Sequence, residues 1–274
     1  MAARSIVITG STRGIGRGMA AEFLKRGHHV MISGRMQAAV DETVAALAPL
    51  AAGGARAAGA PCDVSEAAAV QRLWDASVDA FGRVDIWINN AGLSHPRQMV
   101  GGLRAADIDV VAETNLLGMM LGTQTALAGM RKQSGGGTIW NMEGFGSNGM
   151  MSPGMSLYGA SKFALTYFNK ALLAETRDDP VKICWLSPGI VVTDLVKRDM
   201  GSTGEDEAAR TRRLYDILAD RVETVTPWLA ERILEPHKTG DRVAWLTNGK
   251  AFRRFVGSMF RRRQVLSDSD LAAG

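Results

Sequence analysis

The chain has 274 residues, of which 46% are hydrophobic and 22% are charged, and its formal net charge is +4. A chain of this length can bury one substantial core and fits one α/β domain better than two. No apolar run approaches the ~20 residues that a membrane-spanning helix needs. Because the basic residues are spread along the chain, except near its C-terminal end, we expect no nucleic-acid partner.

The beginning of the chain leaves little room before the first predicted strand. Met1 is followed by that strand within a few residues, too few for a signal peptide, so we expect a cytoplasmic protein. Cys62 and Cys184 lie in or beside predicted strands and lack metal-ligand spacing. We therefore assign the cysteines no chemistry and predict no metal site.

Short apolar strands alternate with helical patterns along most of the chain. The strands are predicted at residues 5–9, 29–33, 57–62, 84–89, 137–142, 181–186 and 242–247, and long helices at 104–131 and 157–177. This alternation predicts an α/β fold with a single doubly wound parallel sheet of the Rossmann type, covered by helices on both faces. Residues 1–249 form the predicted domain, and 250–274 a C-terminal extension.

A glycine-rich loop joins the first predicted strand to the first helix. Gly10, Gly14 and Gly16 let the backbone turn tightly and approach a pyrophosphate, whose charge is met by amides at the helix N-terminus. An ordinary glycine turn is the simpler interpretation. The strand before the loop and the helix after it favour nucleotide binding.

The end of the second predicted strand indicates which nucleotide binds. It carries no carboxylate for a ribose diol; instead it ends at Arg35, and Arg13 lies in the glycine loop. Two cations at this place favour a 2′-phosphate, so we predict NADP(H) rather than NAD(H).

Tyr158 and Lys162 are spaced to emerge on one face of a helix. A phenol alone titrates near ~10, and a neighbouring cation favours its ionised form. We therefore expect Lys162 to lower the pKa of Tyr158. The pair alone is weak support for catalysis, because helices often carry Tyr and Lys at this spacing for solubility or packing.

These motifs occur in an order that resembles the short-chain dehydrogenase/reductase family over residues 5 to about 249. Further matches are Asp63-Val64, Asn89-Asn90-Ala91-Gly92, Asn115 and Pro188-Gly189. The resemblance implies that Tyr158 donates a proton to a carbonyl, Lys162 also binds the nicotinamide ribose, and Asn115 positions a water molecule. It further implies a homodimer or homotetramer, and cofactor contacts from Gly10, Ser11, Thr12, Arg13, Gly14, Ile15, Gly16, Arg35, Asp63, Val64, Asn90, Ala91, Gly92, Tyr158, Lys162, Pro188, Gly189, Ile190, Val191 and Thr193.

The chain departs from the family where a serine usually donates a hydrogen bond to the substrate oxygen. Alignment places Phe145 or Gly144 there, and neither side chain can donate. Ser147 is the conservative replacement. Glu143 is the alternative, but only as a protonated acid, because an ionised carboxylate would repel developing negative charge.

The stretch from Asn141 to Ser147 resembles the chlorophyll b reductase branch of the family, which implies a large, apolar carbonyl substrate. Methionines around the site could line a broad pocket or belong to the core: Met150, Met151, Met155 and Met200. We predict an NADPH-dependent carbonyl reductase. The alternatives are an NADP-binding regulator or scaffold with weakened catalysis, and an NADP-dependent alcohol dehydrogenase.

Two segments fall outside this core pattern. Residues 195–225 are charged and interrupted by glycines, which predicts a substrate lid. Residues 251–263 place phenylalanines on one helical side and arginines elsewhere, which is compatible with weak contact to an anionic membrane. Packing of that apolar side against its own domain or a neighbouring subunit is the interpretation we favour here.

Overall fold

A parallel sheet of seven strands forms the centre of the protein. The computed structural model describes residues 2–194, 205–261 and 263–266. In chain order the strands are β1 (Ser5–Ile8), β2 (His29–Gly34), β3 (Ala57–Pro61), β4 (Ile86–Asn89), β5 (Gly137–Met142), β6 (Val181–Ser187), β7 (Val191–Val192), β8 (Asp220–Arg221) and β9 (Arg242–Ala244). The central order is β3-β2-β1-β4-β5-β6-β9, while β7 and β8 pair separately.

Helices connect the strands and cover both faces of the sheet. They are α1 (Gly14–Lys25), α2 (Gln37–Leu47), α3 (Ala67–Phe81), α4 (Ala105–Ala112), α5 (Gly118–Met130), α6 (Ser156–Glu175), α7 (Glu205–Leu218), α8 (Val222–Leu234) and α9 (Asn248–Ser258). A π-helical segment, Glu113–Leu117, joins α4 to α5. Within the described ranges, no helix combines the length and apolar character needed to cross a bilayer.

The two faces of the sheet bury separate hydrophobic clusters. Ile6 and Ile8 of β1 pack into one cluster with side chains of α1 and α8, including Leu229. Val7, between them, belongs to the other cluster with residues of α3 such as Leu73. Successive strand residues point to opposite faces, so a strand buried on both sides is apolar throughout. This confirms the predicted fold class.

From β1 the chain adds β2 and β3 on one side of the sheet, and it then returns to place β4 on the other side of β1. These two strands are neighbours, with Ile8 paired to Ile88, although β2 and β3 intervene in sequence. At such a switch point the loops leaving the two strands diverge and open a crevice. The glycine-rich loop after β1 and the loop after β4 therefore lie side by side.

The main differences from the sequence-based prediction occur after β6. The last strand ends at Ala244 rather than 247, and the short β7–β8 pair was not predicted. Residues 195–204 of the predicted lid lie outside the described residues, and 205–218 form α7. Ala219 and Val225 are fully buried, so the end of that range is part of the packed protein. A moving lid stays a prediction for the residues before 219.

Candidate active site

The glycine loop packs directly against the end of β4. A β-carbon on Gly10, whose φ is 62°, would lie 2.9 Å from the Ala91 Cα, and one on Gly16 would lie 2.6 Å from the Asn90 Nδ2. The Asn90 amide donates to the carbonyls of Thr9 and Gly10 at 2.9 and 3.0 Å. These contacts require glycine at both positions.

The groups around the loop fit a nicotinamide dinucleotide. The helix α1 begins at Gly14, whose φ is 56°. Gly14 also lines the cavity described below, so the N-terminus of the helix lies at this cavity. Arg35 follows β2 and Arg13 precedes α1, and both are exposed. Arg13 makes a surface ion pair with Asp194 at 3.4 Å. Hydrogen bonding from Ser65, aided by the Arg35 charge, lowers the pKa of Asp63 and keeps it ionised.

A cavity of about 1380 Å³ lies along the carboxyl ends of β1, β2 and β4. Most predicted cofactor residues line it: Gly10, Thr12, Arg13, Gly14, Ile15, Arg35, Asp63, Val64, Asn90, Ala91, Gly92 and Thr193. Ser11 is buried, and its hydroxyl donates a hydrogen bond to the Ile8 carbonyl at 2.8 Å. The other predicted cofactor residues that do not line the cavity are Gly16, Tyr158, Lys162 and residues 188–191, and their contacts with a cofactor stay predictions.

Tyr158 and Lys162 lie together in the first turns of α6, buried beside the cavity. They are 7% and 3% exposed, and the Lys162 Nζ lies 5.8 Å from the centre of the Tyr158 ring. The ammonium also donates to the Met142 carbonyl at 3.4 Å. The β5 strand end thus fixes the position of the cation.

Burial dominates the titration of both groups. It raises the pKa of Tyr158 to about 12 and lowers the pKa of Lys162 to about 8, although the Glu143 carboxylate opposes the shift at Lys162. Burial therefore outweighs the lowering that Lys162 was expected to exert, and the pKa of Tyr158 lies above its ordinary value. Because the phenol remains protonated at neutral pH, it is suited to give a proton rather than to take one.

Asn115 reaches the same place from the π-helical segment. It is fully buried; its Oδ1 accepts from the Leu93 amide at 2.8 Å, and its Nδ2 donates to the Leu93 carbonyl and to the Ser161 Oγ at 2.9 and 3.1 Å. A β-carbon on Gly92 would lie 3.5 Å from the Asn115 Oδ1 and 3.7 Å from the Lys162 Nζ. Asn115 and Lys162 thus converge beside Gly92. π-Helical segments occur frequently at functional sites.

At Gly144, one of the two positions aligned with the missing serine, the predicted acid lies directly against the backbone. A β-carbon on Gly144 would collide with the Tyr158 hydroxyl and lie 3.1 Å from the Lys162 Cε. Ser147 lies one turn away, where its hydroxyl accepts from the Gly144 amide at 3.1 Å and faces the Lys162 carbonyl at 3.5 Å. Its catalytic role stays a prediction. Glu143 forms an ion pair with Arg242 at 2.8 Å, and an ionised carboxylate cannot donate.

Sequence reasoning missed His95, which lines the cavity in the loop after β4. It is 2% exposed, and its Nδ1 donates to the Pro96 carbonyl at 2.7 Å, since a carbonyl only accepts. Its Nε2 is buried without a hydrogen-bond partner among the described residues. The following residues, Arg97 and Gln98, bind the loop before α6. In the sequence, the one indication of a role for His95 was its position, three residues after the end of the Asn89-Asn90-Ala91-Gly92 motif.

The remaining candidates for chemistry are inert. Burial raises the pKa values of Cys62 and Cys184 to about 12, so both thiols stay protonated. In the part of the chain that the structure describes, no group of three or more His, Cys, Asp or Glu side chains is placed to hold a metal ion.

Comparisons with known sequences agree with this geometry. A family model described as short chain dehydrogenase matches residues 4–202. The chlorophyll(ide) b reductase NOL of Arabidopsis thaliana is 36% identical over 91% of this chain and 72% of its own length. The probable chlorophyll(ide) b reductase NYC1 of Oryza sativa subsp. japonica is 32% identical over 94% of this chain. The chain spans about half the length of the NYC1 relatives, 53% and 56%.

Solved structures share the fold. Levodione reductase aligns with a TM-score of 0.77 at 23% identity, over 91% of this chain and 98% of its own. A 3-ketoacyl-(acyl-carrier-protein) reductase from Brucella melitensis, complexed with NADH, aligns with a TM-score of 0.75 at 24% identity, over 88% of this chain and 96% of its own. Together with the matched family model and the convergence of Tyr158, Lys162 and Asn115, these likenesses show that the chain belongs to the short-chain dehydrogenase/reductase family.

Proposed function

We propose that this protein is an NADPH-dependent carbonyl reductase that acts on a large, apolar aldehyde or ketone. The formyl group of a chlorophyll b-type pigment is the most specific candidate. The observation that carries the proposal is the placement of Tyr158, Lys162 and Asn115 at one point beside a cavity that begins at the glycine loop. This placement favours an enzyme over a protein that only binds the nucleotide.

The residues have separable roles in such a reduction. When bound, the nicotinamide cofactor supplies the hydride. Tyr158 donates its proton to the carbonyl oxygen as negative charge develops there. Lys162 stabilises the resulting phenolate, and burial makes this electrostatic effect stronger than it would be in water. Asn115 holds the loop at Leu93 and, as in the resemblance, orients a water molecule that returns a proton to Tyr158.

Exposed methionines and the named relatives support a bulky substrate. The cavity of about 1380 Å³ is lined by most of the predicted cofactor residues, so its volume is assigned to the dinucleotide. Met150 and Met151, before α6, are 59% and 94% exposed and can cover an apolar ligand, whereas Met155 is buried and Met200 lies outside the described residues. A chlorophyll b-type pigment is proposed as the substrate because the chain is similar to proteins named chlorophyll(ide) b reductase.

Apolar side chains on the helices beside the site support a homo-oligomer. Phe163 and Tyr167 of α6 are 57% and 77% exposed, and Ile108 and Leu117 lie exposed on the neighbouring helical segments. We propose that a second copy of the chain covers this face, as the family resemblance implies. The face is distant in sequence from the C-terminal helix.

Replacing Tyr158 with Phe tests the proposed acid directly. The substitution removes only the hydroxyl, so we expect NADPH oxidation with bulky carbonyls, including a chlorophyll b-type pigment, to fall by roughly 10²- to 10⁴-fold. NADPH affinity, measured by fluorescence titration, should stay close to that of the wild type. Lys162→Ala should impair both turnover and binding. A wild type that binds NADPH but reduces no carbonyl would support the regulatory alternative instead.

The pH dependence of kcat/KM should report Lys162. Because the pKa of the buried ammonium is lowered to about 8, the active charged form is lost as pH rises through that value, and kcat/KM should fall about tenfold per pH unit above it. Glu143→Gln removes a charge that raises the pKa of Lys162, so in this variant kcat/KM should begin to fall at a lower pH than in the wild type. Arg242→Met, which keeps Glu143, serves as the control. A profile unchanged up to pH 10 would contradict this account.

Cofactor choice should depend on Arg13 and Arg35. Replacing both with Ala removes two charged donors for a 2′-phosphate, so NADPH should bind roughly 10²-fold more weakly while NADH changes little. Arg104→Ala, which removes an exposed cation at the α4 side of the same cavity, should not change the preference. Equal losses for both cofactors in the double variant would remove the basis for the NADP(H) assignment.

His95 should contact the substrate through its buried Nε2. His95→Leu leaves a polar substrate group unpaired, so kcat/KM should fall by roughly tenfold with NADPH affinity unchanged. His95→Gln keeps a hydrogen-bonding group and should retain most of the activity. Thermal unfolding of both variants separates a binding defect from a folding defect. Wild-type kinetics in a stably folded His95→Leu would rule out the contact.

A further inference from the structure

The last described helix, α9, turns its apolar side away from the protein. Phe252, Phe255 and Val256 are 70%, 44% and 41% exposed, and Met259 and Phe260, in the turn that follows, are 80% and 85% exposed. Their spacing places all five on one helical side. We call them the apolar stripe. Its exposure shows that the stripe does not pack against its own domain, as one of the sequence-based interpretations expected.

The polar side of α9 is the side that holds the helix in place. Arg254 donates to the Leu218 carbonyl at 2.8 Å and pairs with Asp220 at 2.8 Å. Arg263 reaches the same carboxylate at 2.8 Å and donates to the Ile217 carbonyl at 2.6 Å. Asp220 is 5% exposed. Rotating α9 to bury the stripe would leave this carboxylate without its cationic partners, which is costly.

The surroundings of the stripe are strongly basic. Six lysines and arginines and no acidic residue occur in the sequence from 248 to 263. Arg253 and Arg261 are exposed, and with Arg254 and Arg263 they line a groove of about 660 Å³ beside the helix. We call this the basic groove. The groove residues lie across the helix from the stripe, and Arg253 stands at the border between the two sides.

We propose that the apolar stripe and the basic groove dock this protein on an anionic lipid membrane. The phenylalanines and Met259 enter the boundary between headgroups and acyl chains, and Arg253, at the border between the stripe and the groove, binds lipid phosphate. Binding of this kind combines buried apolar area with attraction to anionic lipid. The Asp220 pairs fix the orientation of the helix, so no refolding is needed on contact.

A second copy of the chain fits this surface less well than a membrane does. Pairing two copies of α9 through the stripe would draw Arg253, which borders it, into the contact. Cores of protein interfaces are depleted in charged residues, and a helix of 11 residues is only about 17 Å long. An anionic lipid surface complements both features.

The anchor of the docking helix lies next to the cavity. Asp220, which anchors α9, is followed by Arg221, Val222 and Glu223, all of which line the cavity. A membrane-dissolved apolar substrate would then enter from the side that faces the lipid. This last step rests on the proposed function, whereas the membrane contact does not.

Vesicle sedimentation with the full chain tests the contact. We expect binding to phosphatidylcholine vesicles that contain phosphatidylglycerol and little binding to phosphatidylcholine alone. Phe252→Ser with Phe260→Ser should weaken binding by roughly tenfold or more. Arg253→Glu with Arg261→Glu should weaken it by at least roughly thirtyfold. Val100→Ser and Lys132→Glu make matched changes at exposed positions elsewhere and should bind as the wild type does.

Light scattering and activity complete the test. The stripe variants should keep the oligomeric state and the rate of NADPH oxidation with a water-soluble carbonyl, so a failure of the proposed function would not be mistaken for a failure of docking. Wild-type vesicle binding in both double variants, or no binding by the wild type, would overturn the proposal. A smaller oligomer in Phe252→Ser with Phe260→Ser, without vesicle binding by the wild type, would assign the stripe to a second copy.

Discussion

A buried ammonium beside a buried phenol constrains the whole candidate site. Lys162 is 3% exposed, and a charge in such a place is costly unless the protein surrounds it with polar groups. The Met142 carbonyl and the field of Glu143 supply part of that environment. A side chain at position 144 would meet both the Tyr158 hydroxyl and Lys162, so glycine there leaves the space that the two side chains occupy. The start of the loop after β5 thus fits around this pair of residues.

The strands beneath this pair are tied together by buried amides. The Asn89 Nδ2 donates to the Asn141 Oδ1 at 2.8 Å, and the Asn141 Nδ2 donates to the Asn169 Oδ1 of α6 at 2.7 Å. Trp87 completes the network with a 2.8 Å bond to the Asn89 Oδ1. Satisfied buried networks of this kind rigidify a core. They hold β5 and α6 in register, so the Met142 carbonyl and Lys162 stay aligned.

The surroundings of the acid differ from the family pattern. Gly144, one of the two positions aligned with the usual serine, lies directly against the Tyr158 hydroxyl, so a side chain there would require the phenol to shift. His95 carries a buried Nε2 without a partner among the described residues, and because its Nδ1 donates, this nitrogen accepts a hydrogen bond from a donor group of the substrate and not from its carbonyl oxygen. The site therefore keeps the acid of the family without a serine at the aligned position.

The sequence predicted the parts of the fold that depend on local pattern. Strands such as residues 137–142 are apolar runs between turn residues. In the glycine loop, Gly10 and Gly16 stand where the backbone packs closely against the end of β4. Properties set by distant contacts could not be predicted. The pKa of Tyr158 is governed by burial rather than by its helical neighbour, and the outward side of α9 is decided by Asp220. The β7–β8 pair has two residues per strand, too few for a periodic signal.

The most direct test of the central claim is to follow the hydride itself. The protein is incubated with a chlorophyll b-type pigment and NADPH that carries deuterium at the transferable position, and the pigment is analysed by mass spectrometry. This account predicts an alcohol product with one deuterium on the former formyl carbon. An unlabelled alcohol, or an unchanged pigment under conditions in which NADPH binds, would contradict it.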